Sequence, residues 1–482
     1  MPKNPILSRR GFLAGTVAAG VAVQAGRAHA QHDERPNIVV MITDDQRWDA
    51  LGCAGNPLIH TPHLDALCAR GTRFANTFAS TAICCSSRAS ILTGLHTRCH
   101  GIETFSQPIE GAAWETTYPA LLRQAGYYTG FVGKYGVGRD LPRDQFDYFT
   151  GFSGQGKYFL DEAETDHLTS HMGDDALKFF AQAPDNRPFC LSVSFKAAHV
   201  QDSDPRQFLY DPELESLYQD AEMPVPEKAA PKHFEALPEF MQHSEGRVRW
   251  KKRFATPEMY QRSVKGYYRL VSGVDREAGR IMAALRAQGL DKNTVILFAS
   301  DQGFFLGEYG LAGKWLQYDE SIRMPLIVAD PRVADADRAA VREEMAMNID
   351  LCPTILDLAG LTPPPFMQGR SLAPLLEKGA ADWRGECFFE HHYANDPGGR
   401  VFIPGSEAVR TARWKYVVYD HQDPQYEELF DLNDDPRETR NLAGHPEHRA
   451  RLNRMRARWR AWTEALADWN RESHWRDPRI DG

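Results

Sequence analysis

Two apolar segments that lie far apart along the chain both end in acidic residues. The segment PNIVVMIT is followed directly by Asp44 and Asp45, and the segment TVILFAS by Asp301 and Gln302. Their runs of β-branched and aliphatic residues predict two buried strands. Alternating strand and helix patterns between them predict an α/β fold, in which functional side chains gather at the carboxyl edge of one sheet. This requirement constrains the fold more than any other feature of the sequence.

The residues at these two strand ends form a candidate metal site. Asp44, Asp45 and Asp301 offer three carboxylates, and Gln302 offers an amide oxygen. Hard divalent cations prefer such oxygen ligands, so the set predicts Ca²⁺ or Mg²⁺. Acidic residues at loops and helix caps are commoner than metal ligands, so the pair Asp44-Asp45 alone would be weak support.

Further segments extend the α/β pattern. Strands are predicted at residues 127–132 and 190–195, and helices at residues 63–70, 86–94, 118–124 and 261–288. Residues 200–260 are rich in proline and charge, which predicts long loops. Beyond residue 370, strands are predicted at 386–391 and 414–419. A final helix follows, with five apolar residues on one face: Leu452, Met455, Trp459, Trp462 and Leu466.

The length of the chain and a proline run predict two domains. The chain has 482 residues, 42% of them apolar, which is enough for a large buried core. A proline run at 363–365 separates a large domain, residues 31–375, from a smaller one, residues 376–482, of antiparallel sheet plus helix. The net charge of −9 argues against a nucleic-acid partner. An anionic substrate would therefore need a local positive site.

The first 30 residues have the pattern of a twin-arginine export signal. Arg9 and Arg10 precede a short apolar run, and the sequence Ala28-His29-Ala30 is typical of a cleavage site. The apolar run is too short to span a bilayer, and no later segment is long enough to do so. The alternative is a buried first helix. The pattern predicts a periplasmic or secreted protein without a membrane span.

A cysteine in the stretch ICCSSRASILTG has the setting of an anion-binding nucleophile. Cys84 lies four residues before Arg88, at the predicted start of a helix, where unpaired backbone N–H groups favour an anion. The chain has eight cysteines and no C-x-x-C pair. If Cys84 is a nucleophile, the remaining seven cannot all pair within one chain.

This stretch resembles the Cys-x-Pro-Ser-Arg-x-x-x-Leu-Thr-Gly motif of the type I sulfatases, formylglycine-dependent enzymes of the alkaline phosphatase superfamily. Further blocks in the same order resemble that family: GYYTGFVGKY, KAAH, LGEYG with the following KW, and ELFDL with DP. The resemblance implies a large mixed sheet flanked by helices, with a smaller C-terminal domain of antiparallel sheet plus helix.

The resemblance also implies the chemical roles. A maturation enzyme would convert Cys84 to formylglycine, whose hydrate attacks sulfur. Lys134 and Lys314 would contact the sulfate together with Arg88, and His199 would donate a proton to the leaving oxygen. One Ca²⁺ would be held by a set of five residues: Asp44, Asp45, Cys84, Asp301 and Gln302.

Three positions depart from the family pattern. Ser86 stands where the family usually has proline, and Gln302 where it has asparagine or histidine. Gly136 replaces a histidine that is usually assigned to the formylglycine hydrate, so the resemblance names no base for the last step. The departures bear on whether Cys84 is converted and on how the reaction ends.

The function predicted from the sequence is hydrolysis of a sulfuric ester, with a sulfated sugar or polysaccharide as substrate. A phosphonate monoester hydrolase or phosphodiesterase of the same superfamily is the first alternative, because it shares the fold, the metal and often formylglycine. The second alternative is an inactive sulfo-sugar binding protein, for which Ser86 and Gly136 are the motivation. His391 and His392 are weaker candidates for substrate contacts.

Overall fold

A computed structural model describes residues 35–377, 382–393, 402–419 and 422–472. The predicted export signal, residues 1–30, lies outside the described residues. Among the helices of the described ranges, none combines the length and the apolar character that crossing a membrane requires. The predicted division after residue 375 stays a prediction.

An eight-stranded mixed sheet forms the centre of the larger part of the molecule, in the order β11-β2-β10-β7-β1-β6-β4-β5. Strands β1, β7, β6, β4 and β5 run parallel to their neighbours in this group, and β10 runs antiparallel to β7. The eight strands are β1 Asn37–Thr43, β2 Thr72–Phe74, β4 Tyr128–Lys134, β5 Tyr148–Phe152, β6 Phe189–Ser194, β7 Thr294–Ser300, β10 Leu326–Ala329 and β11 Ala340–Arg342. Two small ladders add β3 Thr77–Phe78 with β12 Ala346–Met347, and β8 Phe305–Leu306 with β9 Ala312–Gly313.

Helices cover both faces of this sheet. Alternate residues of β1 enter two separate cores: Val39 and Met41 on one face, Ile38 and Val40 on the other. The helices, in chain order, are α1 Pro62–Cys68, α2 Cys84–Thr93, α3 Thr97–His100, α4 Ala112–Glu115, α5 Tyr118–Gln124, α6 Leu168–Gln182, α7 Pro231–Glu235, α8 Glu239–Gln242, α9 Glu245–Arg253, α10 Pro257–Ala287, α11 Asp319–Ile322, α12 Leu351–Leu358, α13 Ala373–Leu376 and α14 Arg449–Glu472. Helices α6 and α10 pack on the first face, and α2, α5 and α12 on the second.

A second sheet follows, built of four antiparallel strands in sequence order: β13 Glu386–His391, β14 Ser406–Thr411, β15 Trp414–Tyr419 and β16 Tyr426–Asp431. Helix α14 buries Leu452, Met455 and Leu466 against one face of this sheet, as its apolar spacing predicts. The other face packs on the larger part of the molecule through Phe389, which contacts Phe78 edge to face. The predicted fold class is confirmed.

Several predicted boundaries were wrong. The cysteine helix begins at Cys84 and not at Ser86, because Ile83 is extended and its carbonyl already accepts from the N–H of Ser87. Residues 200–260 contain α7, α8 and α9 rather than loops alone. The long helix begins at Pro257, where the side chain of Thr256 caps the N–H of Met259.

Candidate active site

The parallel pairing of β1 with β7 brings the acidic strand ends together. Thr43 pairs with Ser300, so the next residues of both strands emerge side by side at the carboxyl edge of the sheet. The N–H of Asp45 donates to Asp301 Oδ1 at 3.2 Å, and Gln302 Nε2 donates to Asp45 Oδ1 at 2.8 Å. Side chains separated by most of the sequence therefore form one buried cluster.

This cluster fits a divalent cation. Asp44, Asp45 and Asp301 each direct a carboxylate oxygen into a space where these oxygens lie within 4.8 Å of one another. Asp45 Oδ2 and Gln302 Oε1 are buried and have no hydrogen-bond partner. Buried acceptors without a partner are costly, and a cation satisfies several of them at once. The donor set of carboxylates and an amide oxygen suits Ca²⁺ or Mg²⁺.

Burial, mutual repulsion and neighbouring cations shift the pKa values of the three carboxylates. Burial, followed by the charge of Asp44, raises the pKa of Asp301 to about 7. Burial also raises the pKa of Asp45. Asp44 goes the other way: although burial opposes it, Lys134, His199 and Arg88 hold its pKa well below the usual range. Asp45 and Asp301 are thus harder to ionise than a free aspartate, whereas Asp44 is easier to ionise.

Cys84 is the first residue of α2 and points into the same cluster. Its sulfur donates to Asp44 Oδ1 at 3.3 Å and accepts from Gln302 Nε2 and Lys314 Nζ, each at 3.3 Å. Burial and the charge of Asp44 raise the pKa of this thiol to about 12. An unmodified Cys84 is therefore protonated at neutral pH and a weak nucleophile. The adjacent Cys85 packs into the core instead.

Three cations surround the cluster. Arg88 Nε donates to Asp301 Oδ2 at 2.9 Å, and its Nη2 to Asp44 Oδ2 at 3.2 Å. Lys134 Nζ is paired with Asp44, and Lys314 Nζ donates to Asp45 Oδ1 at 2.6 Å. These charges balance the three carboxylates, so the added charge of a divalent cation would leave a positive site for an anion.

His199 presents one ring nitrogen to the site. Its Nδ1 donates to the carbonyl of Val200 at 2.7 Å, which leaves Nε2 facing Asp45 Oδ2 at 3.7 Å. Burial, and then the charge of Lys314, hold the pKa of His199 well below its usual value. The imidazole is therefore neutral before an anion binds, and an anion between the lysines would raise its pKa.

The local structure accommodates two of the residues that depart from the family pattern, Gly136 and Ser86. Gly136 has φ +74°, and a Cβ there would lie 2.7 Å from Arg88 Cδ. A larger residue would therefore displace the arginine or strain the turn. Ser86 is buried, and its hydroxyl donates to the carbonyl of Ile102 at 2.7 Å. The serine is thus accommodated within α2 without an unpaired polar group.

The structure brings the nine residues predicted as catalytic or metal-binding into this cluster. The weaker candidate His392 lies elsewhere, ion-paired with Glu390 and Glu407, and His391 is the last residue of β13.

The structure also adds residues that sequence reasoning missed. Gln155 Oε1 accepts from Lys134 Nζ at 2.7 Å, and Ser194 accepts from Arg88. Gln155 lies in a loop after β5 with no motif of its own. Ser194 is the last residue of β6, so its place at a strand end was the one available signal. The hydroxyl of Tyr267, in α10, donates to the carbonyl of Asp45 at 2.8 Å.

The mixed sheet, the C-terminal antiparallel sheet and the oxygen-rich cluster at the strand ends define an enzyme of the alkaline phosphatase superfamily. Residues 36–361 match the model of the Sulfatase family, and residues 307–464 match the model for the C-terminal region of N-sulphoglucosamine sulphohydrolase. The chain belongs to the sulfatase family, and its activity is that of a sulfatase.

Individual relatives agree with this assignment. An N-acetylglucosamine-6-O-sulfatase of Bacteroides thetaiotaomicron is 30% identical, over 88% of this chain and 86% of the relative. An arylsulfatase of Clostridium perfringens is 26% identical, over 88% and 93%. A solved structure in complex with its substrate D-glucosamine-2-N,6-O-disulfate is 27% identical, with a TM-score of 0.77 over 90% of this chain and 98% of that one.

The fold is shared with a second kind of esterase. A phosphonate monoester hydrolase from Silicibacter pomeroyi has a TM-score of 0.76 over 90% of this chain and 96% of that one, at 24% identity. At this identity the likeness concerns the fold alone.

Proposed function

We propose that this sulfatase removes sulfate from a sulfated sugar, with Cys84 converted to formylglycine. The observation that carries the proposal is the position of the Cys84 sulfur, 3.3 Å from Lys314 Nζ and 3.3 Å from an oxygen of Asp44. An oxygen attached to the Cβ of residue 84 in place of the sulfur would therefore lie close both to a candidate metal ligand, Asp44, and to Lys314. The high pKa of the unmodified thiol also supports a need for modification.

A metal ion would be held by Asp44, Asp45, Asp301 and Gln302, and the modified residue 84 would complete the set. Ca²⁺ fits these ligands, and Mg²⁺ is the alternative. The ion, when bound, supplies positive charge beside the ester. Formylglycine, when present, supplies an oxygen nucleophile where the thiol would be a poor one.

The remaining residues bind and position the ester. Lys134 and Lys314 hold the non-bridging sulfate oxygens, where the charge of the ester resides. Arg88 fixes Asp44 and Asp301 through charged hydrogen bonds that Lys134 could not make alone. His199 delivers a proton from Nε2 to the leaving oxygen, because bound sulfate raises its pKa. Gly136 offers no base, so this residue plays no part in proton transfer.

A sugar is the substrate class that the surroundings support. Two of the relatives named above are described by a sulfated glucosamine: the N-acetylglucosamine-6-O-sulfatase and the structure in complex with D-glucosamine-2-N,6-O-disulfate. Both ring nitrogens of His391 and Gln317 Oε1 are buried without a partner in the part of the chain that the structure describes. His391 pairs in register with Ser406, whose hydroxyl accepts from Gln317 Nε2 at 3.2 Å. Gln317 is three residues from Lys314, and the unpaired polar atoms of Gln317 and His391 support the proposal that these groups bind sugar hydroxyls.

The test measures the conversion of residue 84 and the release of sulfate in the same protein preparation. Protein produced with a formylglycine-generating enzyme should contain the aldehyde at residue 84, detected by the mass of that peptide, and should release sulfate from N-acetylglucosamine 6-sulfate. Activity in protein whose residue 84 is entirely cysteine would contradict the proposal. Full conversion with no release of sulfate from any ester would support an inactive binding protein.

Phosphonate monoester hydrolysis is the second candidate, favoured by the fold shared with the hydrolase of Silicibacter pomeroyi. The two activities are compared by kcat/KM on an aryl sulfate and an aryl phosphonate carrying the same leaving group. A preference for the phosphonate above about a hundredfold, some 2.7 kcal/mol of barrier, would decide against sulfate as the native group.

We also propose that the chain is exported by the twin-arginine route, on the pattern of its first 30 residues. A relative from Drosophila melanogaster, described as an extracellular sulfatase, is 28% identical over 72% of this chain. Mutation of Arg9 and Arg10 to lysine should retain the protein in the cytoplasm with its signal uncleaved; unchanged export would contradict the proposed route.

A further inference from the structure

Two buried side chains, those of Lys196 and Tyr158, bind the backbone next to His199. Lys196 Nζ donates to the carbonyl of Val200 at 3.1 Å, and the same oxygen accepts from His199 Nδ1 at 2.7 Å. The hydroxyl of Tyr158 donates to the carbonyl of His199 at 2.6 Å. Lys196 Nζ also lies 4.6 Å from the centre of the Tyr158 ring. The orientation of the imidazole therefore depends on a carbonyl that Lys196 shares.

Lys196 differs from the other buried lysines. Among the described residues it forms no ion pair, although its exposed fraction is only 1%. Each of the others pairs with a carboxylate: Lys134, Lys228, Lys314 and Lys415. Burial, and then the charge of Lys134, lower the pKa of Lys196 to about 7, and its amine can donate to Val200 in either protonation state. A buried amine without an anion costs stability that a methionine of similar length would not, so stability alone does not explain the lysine.

The backbone of His199 is fixed separately from its ring. The N–H of Asp44 donates to the carbonyl of Ala197 at 3.0 Å, and the N–H of Ala198 donates to the carbonyl of Asp44 at 2.8 Å. The N–H of His199 donates to the carbonyl of Lys196 at 3.0 Å. These bonds join the turn to the strand end that carries the metal ligands without any side chain of residues 196–199. A change in the Lys196 side chain therefore leaves this anchoring in place.

The shared carbonyl also determines which ring nitrogen carries the proton to be transferred. A carbonyl oxygen can only accept, so Nδ1 of His199 keeps its hydrogen in both the neutral and the charged ring. The proton that leaves is then the one on Nε2, the nitrogen that faces Asp45. Partners of this kind fix the tautomer and the rotation of a functional histidine.

We propose that Lys196 and Tyr158 are positioning residues that orient His199 as the proton donor to the leaving group. The inference rests on the proposed function, in which Nε2 of the charged imidazole gives its proton to the leaving oxygen. The imidazole is left neutral, with its remaining hydrogen on Nδ1.

A misplaced proton donor affects some esters much more than others. The 4-nitrophenolate ion is a weak base and leaves with little help from an acid, whereas phenolate is a stronger base and needs the proton. The sulfates of these two phenols differ little in shape, so a difference between them reports on proton donation and not on binding. A general loss of structure would lower both activities equally.

The test measures kcat on 4-nitrophenyl sulfate and on phenyl sulfate for the full chain with formylglycine and Ca²⁺. K196M should lower kcat on phenyl sulfate by about tenfold or more and kcat on 4-nitrophenyl sulfate by less than about threefold. Y158F should show the same selectivity with a smaller loss, about threefold on phenyl sulfate. K292M, the matched control at an exposed lysine, should leave both rates unchanged.

Equal losses on the two esters in K196M, from an active wild type, would overturn this inference alone. A wild type that hydrolyses neither ester would overturn the proposed function and this inference with it. Equal rates of Y158F on the two esters, relative to wild type, would overturn the role of Tyr158.

A double-mutant cycle asks whether Lys196 acts through His199. When K196M is added to H199Q, kcat on phenyl sulfate should change by less than about twofold, because no proton donor remains to be oriented. A further loss of about tenfold in the double variant would mean that Lys196 acts independently of His199, which would overturn the proposal.

Discussion

Two buried clusters of acidic residues and cations in this molecule differ in how completely their polar atoms are paired. The active-site cluster contains Asp44, Asp45 and Asp301. The second, here called the Arg98 cluster, contains Arg98, Glu390, His392 and Glu407 and joins α3 to the C-terminal sheet. In each cluster, potential metal-ligating atoms lie within 4.8 Å of one another. Geometry alone therefore gives two candidate metal sites.

The Arg98 cluster is satisfied by its own residues. Glu390 accepts from the N–H and Nε of Arg98 at 3.0 and 2.5 Å. Glu407 accepts from Arg98 and from Trp459 Nε1, and lies 3.3 Å from His392 Nε2. Although burial opposes it, hydrogen bonding to His392 and the charge of Arg98 lower the pKa of Glu390.

The active-site cluster is left with unpaired acceptors, although Arg88, Lys134 and Lys314 match its three carboxylates in charge. Asp45 Oδ2 and Gln302 Oε1 are buried without partners, and the pKa of Asp301 is raised to about 7. The comparison teaches that buried acceptors without partners, and not proximity of acidic groups, distinguish a site for a ligand from a structural ion-pair network.

The largest expected effect separates Cys84 from its neighbour. C84A should lower kcat/KM on an aryl sulfate by at least about a thousandfold, because alanine has no thiol that could be converted to the formylglycine aldehyde. C85A, the matched control, should remain within about threefold of wild type, because Cys85 packs in the core. Equal losses in both variants would mean that α2 matters only for folding.

Metal removal should affect the two clusters differently. A chelator should reduce activity by about a hundredfold or more, and Ca²⁺ should restore it and raise the Tm. D301N should abolish the rise in Tm on adding Ca²⁺. A calcium response that survives in D301N would contradict the metal assignment.

The control for this experiment is E407Q. It should lower the free energy of unfolding by about 3–5 kcal/mol, because it leaves Arg98 and His392 without one buried anion. Its rise in Tm with Ca²⁺ should be as large as that of wild type, since Glu407 belongs to the Arg98 cluster. Loss of the calcium response in E407Q would place the metal in that cluster instead.

The clusters should also contribute to stability with opposite dependence on pH. The folded pKa of Asp301 is about 7 and its usual value is 3.8, so the metal-free folded state binds the extra proton. Its contribution to stability therefore falls as pH rises from about 4 to 7, on the order of 3 kcal/mol. Glu390 has a lowered pKa, so its contribution is present above the usual pKa and is lost on acidification.

Urea unfolding of the metal-free protein at pH 5 and pH 7.5 checks this prediction. The unfolding free energy of wild type, relative to that of D301N, should be lower at pH 7.5 than at pH 5. The difference between wild type and E390Q should not change in that direction. Parallel pH dependence of both differences would remove the electrostatic contrast between the clusters.

The smallest expected effect concerns the sugar. H391A should raise KM for a sulfated monosaccharide by about tenfold, the cost of one or two lost hydrogen bonds, and should change kcat less. H171A, which alters an exposed histidine of α6, is the matched control and should leave KM unchanged. No change in H391A would mean that His391 lies outside the sugar site.

The sequence predicts the strands best where burial is complete. The bounds of β7, β13 and β15 agree with the prediction, because each strand has a run of apolar residues at its centre. Helix starts are predicted less well. The prediction placed the start of α2 near Ser86, whereas the helix begins at Cys84 and its cap is the apolar Ile83, which no capping pattern indicates.

The parts of the site contributed by strand ends could be predicted, because parallel strands carry their last residues to one edge. Gln155 could not, since a loop glutamine carries no periodicity and its contact with Lys134 depends on tertiary packing. The pairing of charges within the Arg98 cluster could not be predicted from the sequence either. Its members lie in segments far apart in the sequence, and the pairing of β13 with β14 brings Glu390 opposite Glu407.

The register of β1 against β7 has a consequence for biosynthesis. Asp44, Asp45 and Cys84 leave the ribosome long before Asp301, Gln302 and Lys314, an interval of about ten to fifty seconds at ordinary rates of translation. Until β7 docks beside β1, Cys84 lacks its contacts with Gln302 and Lys314. In the folded chain the exposed fraction of Cys84 is 1%. The proposed conversion of Cys84 would therefore have to precede the docking of β7, and the chain's own synthesis would determine when that period ends.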